Sequence, residues 1–223
     1  MGPDPHQGGG SGGGNSVRTN PDGDLVRIER CEFRASAPQV NVLLAGLGGS
    51  SSLSLPPDPS RADLEAAAPW RLLDNVFDGS GRGRACPTPA RGSIISVLNV
   101  ECEWTAPLLV ANNSIFDMDL RAVGEAPCAR VSIDRGGSAW VTGNQIAGIR
   151  LDRSRSAGVL ELVVHDQTST MNATRNVLVR NEGSQAVYLE GPNQVCLLPE
   201  STFSDDTSPF VPLFLKTRAP NPP

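Results

Sequence analysis

The chain has 223 residues, enough for one domain of ordinary size with a sizeable core. Its formal net charge of −5 and pI near 5.1 argue against nucleic acid or an anionic membrane as the main partner, since both are held through positive surfaces. No apolar run reaches the roughly 18–20 residues that span a bilayer, and MGPDPHQGGGSGGG has neither the basic nor the apolar region of a secretory signal. No membrane partner is therefore expected, and export would use another route or a longer parent chain.

Residues 1–23 are mostly Gly, Ser, Asn, Pro and Asp with almost nothing to bury, and are expected to form a flexible arm or linker. From 24 onward LVRIERCEF alternates apolar and polar residues, the period of a half-buried strand, and NVLLAGLG (41–48) is a second, more apolar strand. GGSSSLSLPPDPS (48–60) is a loop. It leads into a short helix in ADLEAAA, with Ser60 as N-cap and Asp63 at the third helical position. WRLLDNVFDG (70–79) resumes the strand pattern, and DGSGRGRACPTPARG (78–92) is a surface loop with Arg82, Arg84 and Arg91, next to Arg71. Such cations could meet an anionic ligand, but a solvated loop is the expectation. From SIISVLNVECEW (93–104) to residue 195 strands follow one another with short polar breaks and no useful helix. The end, 199–223, is Pro-rich with one apolar knot at Phe210–Leu215, read as an irregular cap whose prolines bar regular strand pairing.

One phrase recurs through this chain: an apolar strand, then Asn, any residue, and a large apolar residue. It appears as LLDNVFDG, LVANNSIFDM, WVTGNQIAG and ATRNVLVRN, with Asn75, Asn113, Asn144 and Asn176 spaced by 38, 31 and 32 residues. An earlier variant, VRIERCEFRA, has Cys31 in the Asn position. Strand-only periods in this range point to a coiled parallel sheet whose turns stack. At a corner Asn tolerates the left-handed conformation, and stacked amides can bond each other as a ladder. The residues two positions on, Phe77, Ile115, Ile146 and Leu178, would form a parallel apolar row. A β-sandwich or jelly roll also has many short strands, but gives no reason for the recurring Asn phrase.

On these phrases residues 24–198 resemble a right-handed parallel β-helix of the pectate-lyase-like superfold, a likeness of fold carried by degenerate motifs. It implies an all-β chain: one parallel β-helix at 24–198, a Gly-rich arm at 1–23 and a cap at 199–223. Glycan-cleaving members of that superfold resemble one another in placing carboxylates and basic residues on the outer face of stacked strands. Their glycosidase-like set would show N-x-D, D-D, G-H-G and R-x-K. Here G-H-G and R-x-K are missing, and the only D-D is Asp205–Asp206 in the tail. The R-x-P-x-x-R of the calcium-dependent lyases is missing too.

The remaining catalytic candidates are sparse. Asp117 and Asp119 alternate, which on one strand would aim both carboxylates to the same side as a metal or acid/base pair. Two solvated surface acids are the plainer expectation. His165 ends the apolar strand ELVVHD, and without a placed nucleophile it reads as a packing or capping residue. Arg121, Arg130, Arg135, Arg150, Arg153 and Arg155 interleave with Asp119, Asp134 and Asp152, the pattern of a solvated face. Cys31, Cys86, Cys102, Cys128 and Cys196 are odd in number with no C-x-x-C, and are expected to be reduced and structural. No metal site and no cofactor are expected.

The expectation for function is a non-catalytic structural or binding module. It would be a rigid component of a larger extracellular or virion-like assembly, joined through the rod ends to other proteins or to further copies, with a glycan as a further ligand. The alternative is a polysaccharide lyase or glycoside hydrolase acting on an acidic glycan.

Overall fold

The computed structural model describes residues 15–19, 26–34, 40–45, 60–68, 70–79, 97–103, 107–121, 127–152, 158–183, 185–191, 196–197, 202–204 and 211–217. Its strands in chain order begin with β1 (Asn15–Thr19), β2 (Val26–Glu29) and β3 (Glu32–Arg34). After β4 (Val40–Ala45) comes α1 (Arg61–Ala67), the single helix among the described residues, then β5 (Trp70–Leu73) and β6 (Val76–Asp78). The next two triplets are β7 (Leu98–Glu103), β8 (Pro107–Ala111), β9 (Ser114–Phe116), and β10 (Ala129–Ile133), β11 (Ser138–Thr142), β12 (Gln145–Ala147). They are followed by β13 (Gly158–Val164), β14 (Thr170–Thr174), β15 (Val177–Val179), then β16 (Gln185–Gly191), β17 (Cys196–Leu197), β18 (Thr202–Ser204), and finally β19 (Val211–Thr217).

Successive strands fall to three sheets in strict rotation, and every pairing is parallel. One sheet has seven strands in the order β1-β4-β7-β10-β13-β16-β19. The second is β17-β14-β11-β8-β5-β2, and the third β18-β15-β12-β9-β6-β3. The fold is thus dominated by parallel β-structure in three sheets. Each recurring Asn phrase is the joint between a strand of the second sheet and a strand of the third.

Alternation within the strands sets the core. Trp70, Leu72, Leu108, Val110, Ala139, Val141, Met171 and Ala173 point inward from the second sheet and belong to one buried cluster. Phe77, Ile115, Ile146 and Leu178 are buried and in direct register in the third sheet. Phe33 begins the same row and stacks flat on Phe77, with ring centroids 4.8 Å apart.

The corner between the second and third sheets is where the asparagines act. Asn75, Asn113, Asn144 and Asn176 are all buried. The Nδ2 of Asn144 donates to the Val110 carbonyl of the turn before at 3.0 Å and to Asn176 Oδ1 of the turn after at 2.9 Å. Its Oδ1 accepts from Asn113 Nδ2 at 2.9 Å and from the Asn113 backbone N–H at 3.0 Å. Asn113 repeats the pattern with Leu72 O and Asn144, and Asn75 repeats it with Ile28 O and Asn113. Cys31 donates its backbone N–H to Asn75 Oδ1 at 3.0 Å and begins the row.

The left-handed residue at this corner is the one before the Asn. Arg30, Asp74, Asn112 and Arg175 have φ of 53–56°, and Gly143 has 66°. This corrects the expectation that Asn itself takes that conformation. The preceding residue makes the turn, and the Asn is thereby free to point its amide into the core.

α1 forms as its sequence predicts: Ser60 caps it, and Asp63 closes a capping box by accepting the Ser60 backbone N–H. Leu64 and Ala68 cover Leu73, Leu109 and Ala111 on the outer side of the second sheet, beside half-buried Trp140. Arg61 clamps the left-handed corner residue Asp74 at 2.8 Å and also pairs with Glu65.

Three expectations are corrected. The stretch 1–23 contains β1, which pairs in parallel with β4. The 199–223 stretch contains β18 and β19, and β19 pairs with β16 although it carries Pro212. That is tolerated because β19 is an edge strand, where a missing N–H need not break a ladder on both sides. LVRIERCEF is also two strands broken at Arg30, because the left-handed corner interrupts it. Residues 1–14, most of the 78–92 loop with Cys86, Trp104, Arg153, Arg155, Asp205 and Asp206 lie outside the described residues.

Replacing Asn144 with Ala should orphan the Asn113 backbone N–H and take the amide donor from Val110 O. It should also leave Asn113 Nδ2 with Leu72 O alone and Asn176 Oδ1 with the residue-144 N–H alone. With buried unsatisfied groups costing about 1–3 kcal/mol each, the urea midpoint should fall clearly below that of the parent. An unchanged midpoint would mean that the amide row contributes no stability.

Candidate functional site

The outer face of the seven-stranded sheet carries the densest group of chemically capable side chains among the described residues. In β7, β10, β13 and β16 the residues Leu98, Val100, Ala129, Val131, Leu160, Leu162, Val187 and Leu189 face the core. The alternate residues must face outward. Register then aligns Asn99, Arg130, Glu161 and Tyr188 directly across four strands. A second column, two residues along, is Glu101, Ser132, Val163 and Glu190. Neighbouring members of a column sit about 4.8 Å apart by strand spacing, and Glu161 and Glu190 face each other on a diagonal of about 8 Å.

All six polar members other than Ser132 are half-buried, while Ser132 and Val163 are buried. Asn99 Nδ2 donates to Glu101 Oε1 at 3.2 Å, and the Tyr188 hydroxyl donates to Glu190 Oε2 at 3.1 Å. Asn99 Oδ1 and Arg130 Nε are shut off from solvent without a hydrogen-bond partner among the described residues. Burial pushes the Glu161 carboxyl above the usual range; the Arg130 charge opposes that shift and the Glu190 charge adds to it. A carboxyl inclined to keep its proton beside a second carboxylate is the arrangement that a general acid and base require. The Asn, Arg and Tyr groups could hold a polyhydroxylated ligand.

The candidates singled out in the sequence do not meet there. β9 ends at Phe116, and Asp117 takes a left-handed φ of 58° at the following corner. The alternation that would align Asp117 with Asp119 is broken at that point, so the two do not form a strand pair. Asp119 is exposed and bound by Arg121, whose bonds at 2.8 and 2.5 Å hold its carboxyl below the usual range. His165 is exposed just beyond β13, and its backbone N–H donates to Ile133 O at 2.9 Å. Its neighbour Asp166 organises the corner: it accepts from the Thr168 and Ser169 backbone N–H groups and from both hydroxyls. Burial alone would raise the Asp166 pKa, but these bonds from Ser169 and Thr168 hold it far below the carboxylate range.

The arginines expected on one face are dispersed. Arg130 lies in the column just described, Arg135 takes a left-handed turn conformation, and Arg150 faces Glu182 at 3.8 Å on a third corner. Cys102 and Cys128 are buried, burial pushing the Cys128 thiol well up, while Cys31 is exposed. Among the described residues no group of three or more His, Cys, Asp or Glu is placed to hold a metal, and no helix is long and apolar enough to cross a membrane.

Glu101, Glu161, Tyr188 and Glu190 escape a motif search because they share no word. Their signal is positional: Asn99, Arg130 and Glu161 recur every 31 residues, in step with the asparagine phrase. No protein-family model matches the chain, and no curated protein or solved structure matches it.

The two unusual carboxyls predict opposite pH effects. Glu161 has a raised folded pKa, so its contribution is full below the unfolded Glu value and is lost as pH rises through the folded value. Glu161→Gln should therefore gain stability relative to the parent from pH 4 to pH 8. Asp166 has a depressed folded pKa, so its contribution is present above the unfolded Asp value and fades as pH falls. Asp166→Asn should lose stability at pH 7 and converge on the parent in strong acid. Thermal melts across pH read both, and parallel curves for either variant would refute its assignment.

Proposed function

We propose that the chain is a right-handed parallel β-helix and that it works as a rigid, non-catalytic module of a larger protein assembly. The observation that carries this reading is the rotation of strands among three parallel sheets, with one buried amide row bonded from turn to turn. Such a body resists bending, since each turn is fixed to its neighbours by three strand pairings and two amide bonds. Its exposed strand edges lie at the ends, and there other proteins or further copies would attach. An extracellular or virion-like setting suits a body of this kind.

A second reading is favoured by the outer face of the seven-stranded sheet. There Glu161, with its raised pKa, sits diagonal to Glu190 among Arg130, Asn99 and Tyr188. This is the polysaccharide lyase or glycoside hydrolase reading, with Glu161 as acid in place of Asp117, Asp119 or His165.

Small-angle scattering with reducing-end and unsaturated-product assays on pectic, alginate and glycosaminoglycan substrates separates the two. The module reading expects an elongated particle and no turnover. Turnover that survives in Asp119→Asn but is lost in Glu161→Gln would establish the enzyme instead.

A further inference from the structure

We propose that β2 is a self-association edge, through which two copies of this chain pair head to head, β2 antiparallel to β2 about a two-fold axis at Ile28. The proposal rests on the module reading and names its partner as a second copy.

The first observation is an unfilled edge. β2 and β3 end their sheets, and their described pairings run only to β5 and β6. The opposite backbone edge of both strands has no strand beside it among the described residues. Ile28 and Phe33, whose rows continue into the core, are only half-buried here, whereas Leu72 and Phe77 in the next turn are fully buried.

The second observation is the charge pattern. Arg27 and Glu29 flank Ile28 and share the outer side of the sheet, in register with Arg71 and Leu73. Charged edge residues ordinarily keep a strand from pairing. Here the strand inverted about Ile28 is its own complement: Arg27 of each copy lies opposite Glu29 of the other, and Ile28 meets Ile28. Arg27 is exposed, and Glu29 Oε1 has no hydrogen-bond partner among the described residues, so a Glu29 side chain turned outward would gain one from the guanidinium of the other copy.

The third observation is the contrast between the two ends. At the other end β17 has two residues, β18 has three, and β19 carries Pro212. Short strands and a proline blunt an edge, so head-to-tail growth is disfavoured. The isologous contact closes on itself as a dimer.

Multi-angle light scattering on the full chain tests this. The parent should run at twice the mass of the chain. Arg27→Glu and Glu29→Arg should each weaken the dimer about ten-fold or more, as expected for breaking a close interfacial charge pair. The double exchange Arg27→Glu with Glu29→Arg restores complementarity and should restore the dimer, which no misfolded variant would do. A monomeric parent, open filaments, or single variants that dimerise like the parent would each overturn the proposal. A monomer that is elongated and inert on glycans would remove the edge but leave the module reading. Glycan turnover would remove that reading whatever the mass.

Discussion

The structure depends on satisfying amides that have been taken out of water. An Asn side chain offers two donors and two acceptor sites, and leaving them unpaired in an apolar core costs more than an ordinary hydrogen bond returns. At Asn113 and Asn144 every one of these is used: Nδ2 reaches one carbonyl behind and one Oδ1 ahead, and Oδ1 accepts two N–H groups. The donors and acceptors come from adjacent turns, so the row works only if the turns stack in one register. A slip of one residue in any strand would reverse its inner and outer faces and also orphan the amides at its end. Apolar stacking of Phe77, Ile115, Ile146 and Leu178 pulls the turns together without choosing among registers; the amides make the choice.

The corner that places these amides is itself strained. A non-glycine residue in the left-handed region is unfavourable by about 1–2 kcal/mol, and Arg30, Asp74, Asn112 and Arg175 all sit there at the same corner. They share polarity but little size, because their side chains point away from the core and need only stay in water or find a local partner. Asp74 has found one. Arg61 at the start of α1 holds it, and the helix in turn seals Leu73, Leu109 and Ala111, which would otherwise be an apolar patch on the outer sheet. The helix therefore belongs to the packing of the second sheet.

Much of this was legible in the sequence, and the reasons differ by residue. The Asn phrase fixes where two strands meet because a buried amide is rare enough to stand out at a period of 31 or 32. The Ser60–Asp63 box marks its helix because capping is local chemistry. β1 and β19 were not legible: Asn15–Thr19 lies in a Gly-rich context, and Val211–Thr217 contains a proline. Both are edge strands whose partners are 25 or more residues away in sequence. The outer column of Asn99, Arg130, Glu161 and Tyr188 was hidden for a related reason. Outward positions have no common residue type, so only their spacing, measured against the inward rows, reveals that they share a face. Asp117 and Asp119 misled in the opposite sense, since alternation means a common side only while the chain stays extended.

The positions that break the amide row follow the same rule. An Asn in it needs a carbonyl in the turn behind to receive its second donor. Cys31 stands beside β2, which has no strand behind it among the described residues, so none of their carbonyls would receive an amide there. A thiol, which donates weakly to the nearby Glu29 carbonyl at 3.5 Å, leaves no strong donor stranded. Asn181 makes the complementary case at the corner beyond the third sheet. Its predecessors there, Met118 and Ile149, are apolar and buried. Asn181 nonetheless finds both partners from the turn behind, donating to Ile146 O at 3.1 Å and accepting the Ile149 N–H at 3.0 Å. An isolated amide is thus sustainable wherever one complete turn lies behind it, and it needs no amide neighbour. The row at the other corner is consequently a repetition of single-turn bonds to the backbone, with the Asn–Asn contacts added on top. The direction of those bonds, always a carbonyl behind and an Oδ1 ahead, gives the stack a polarity that begins at Cys31.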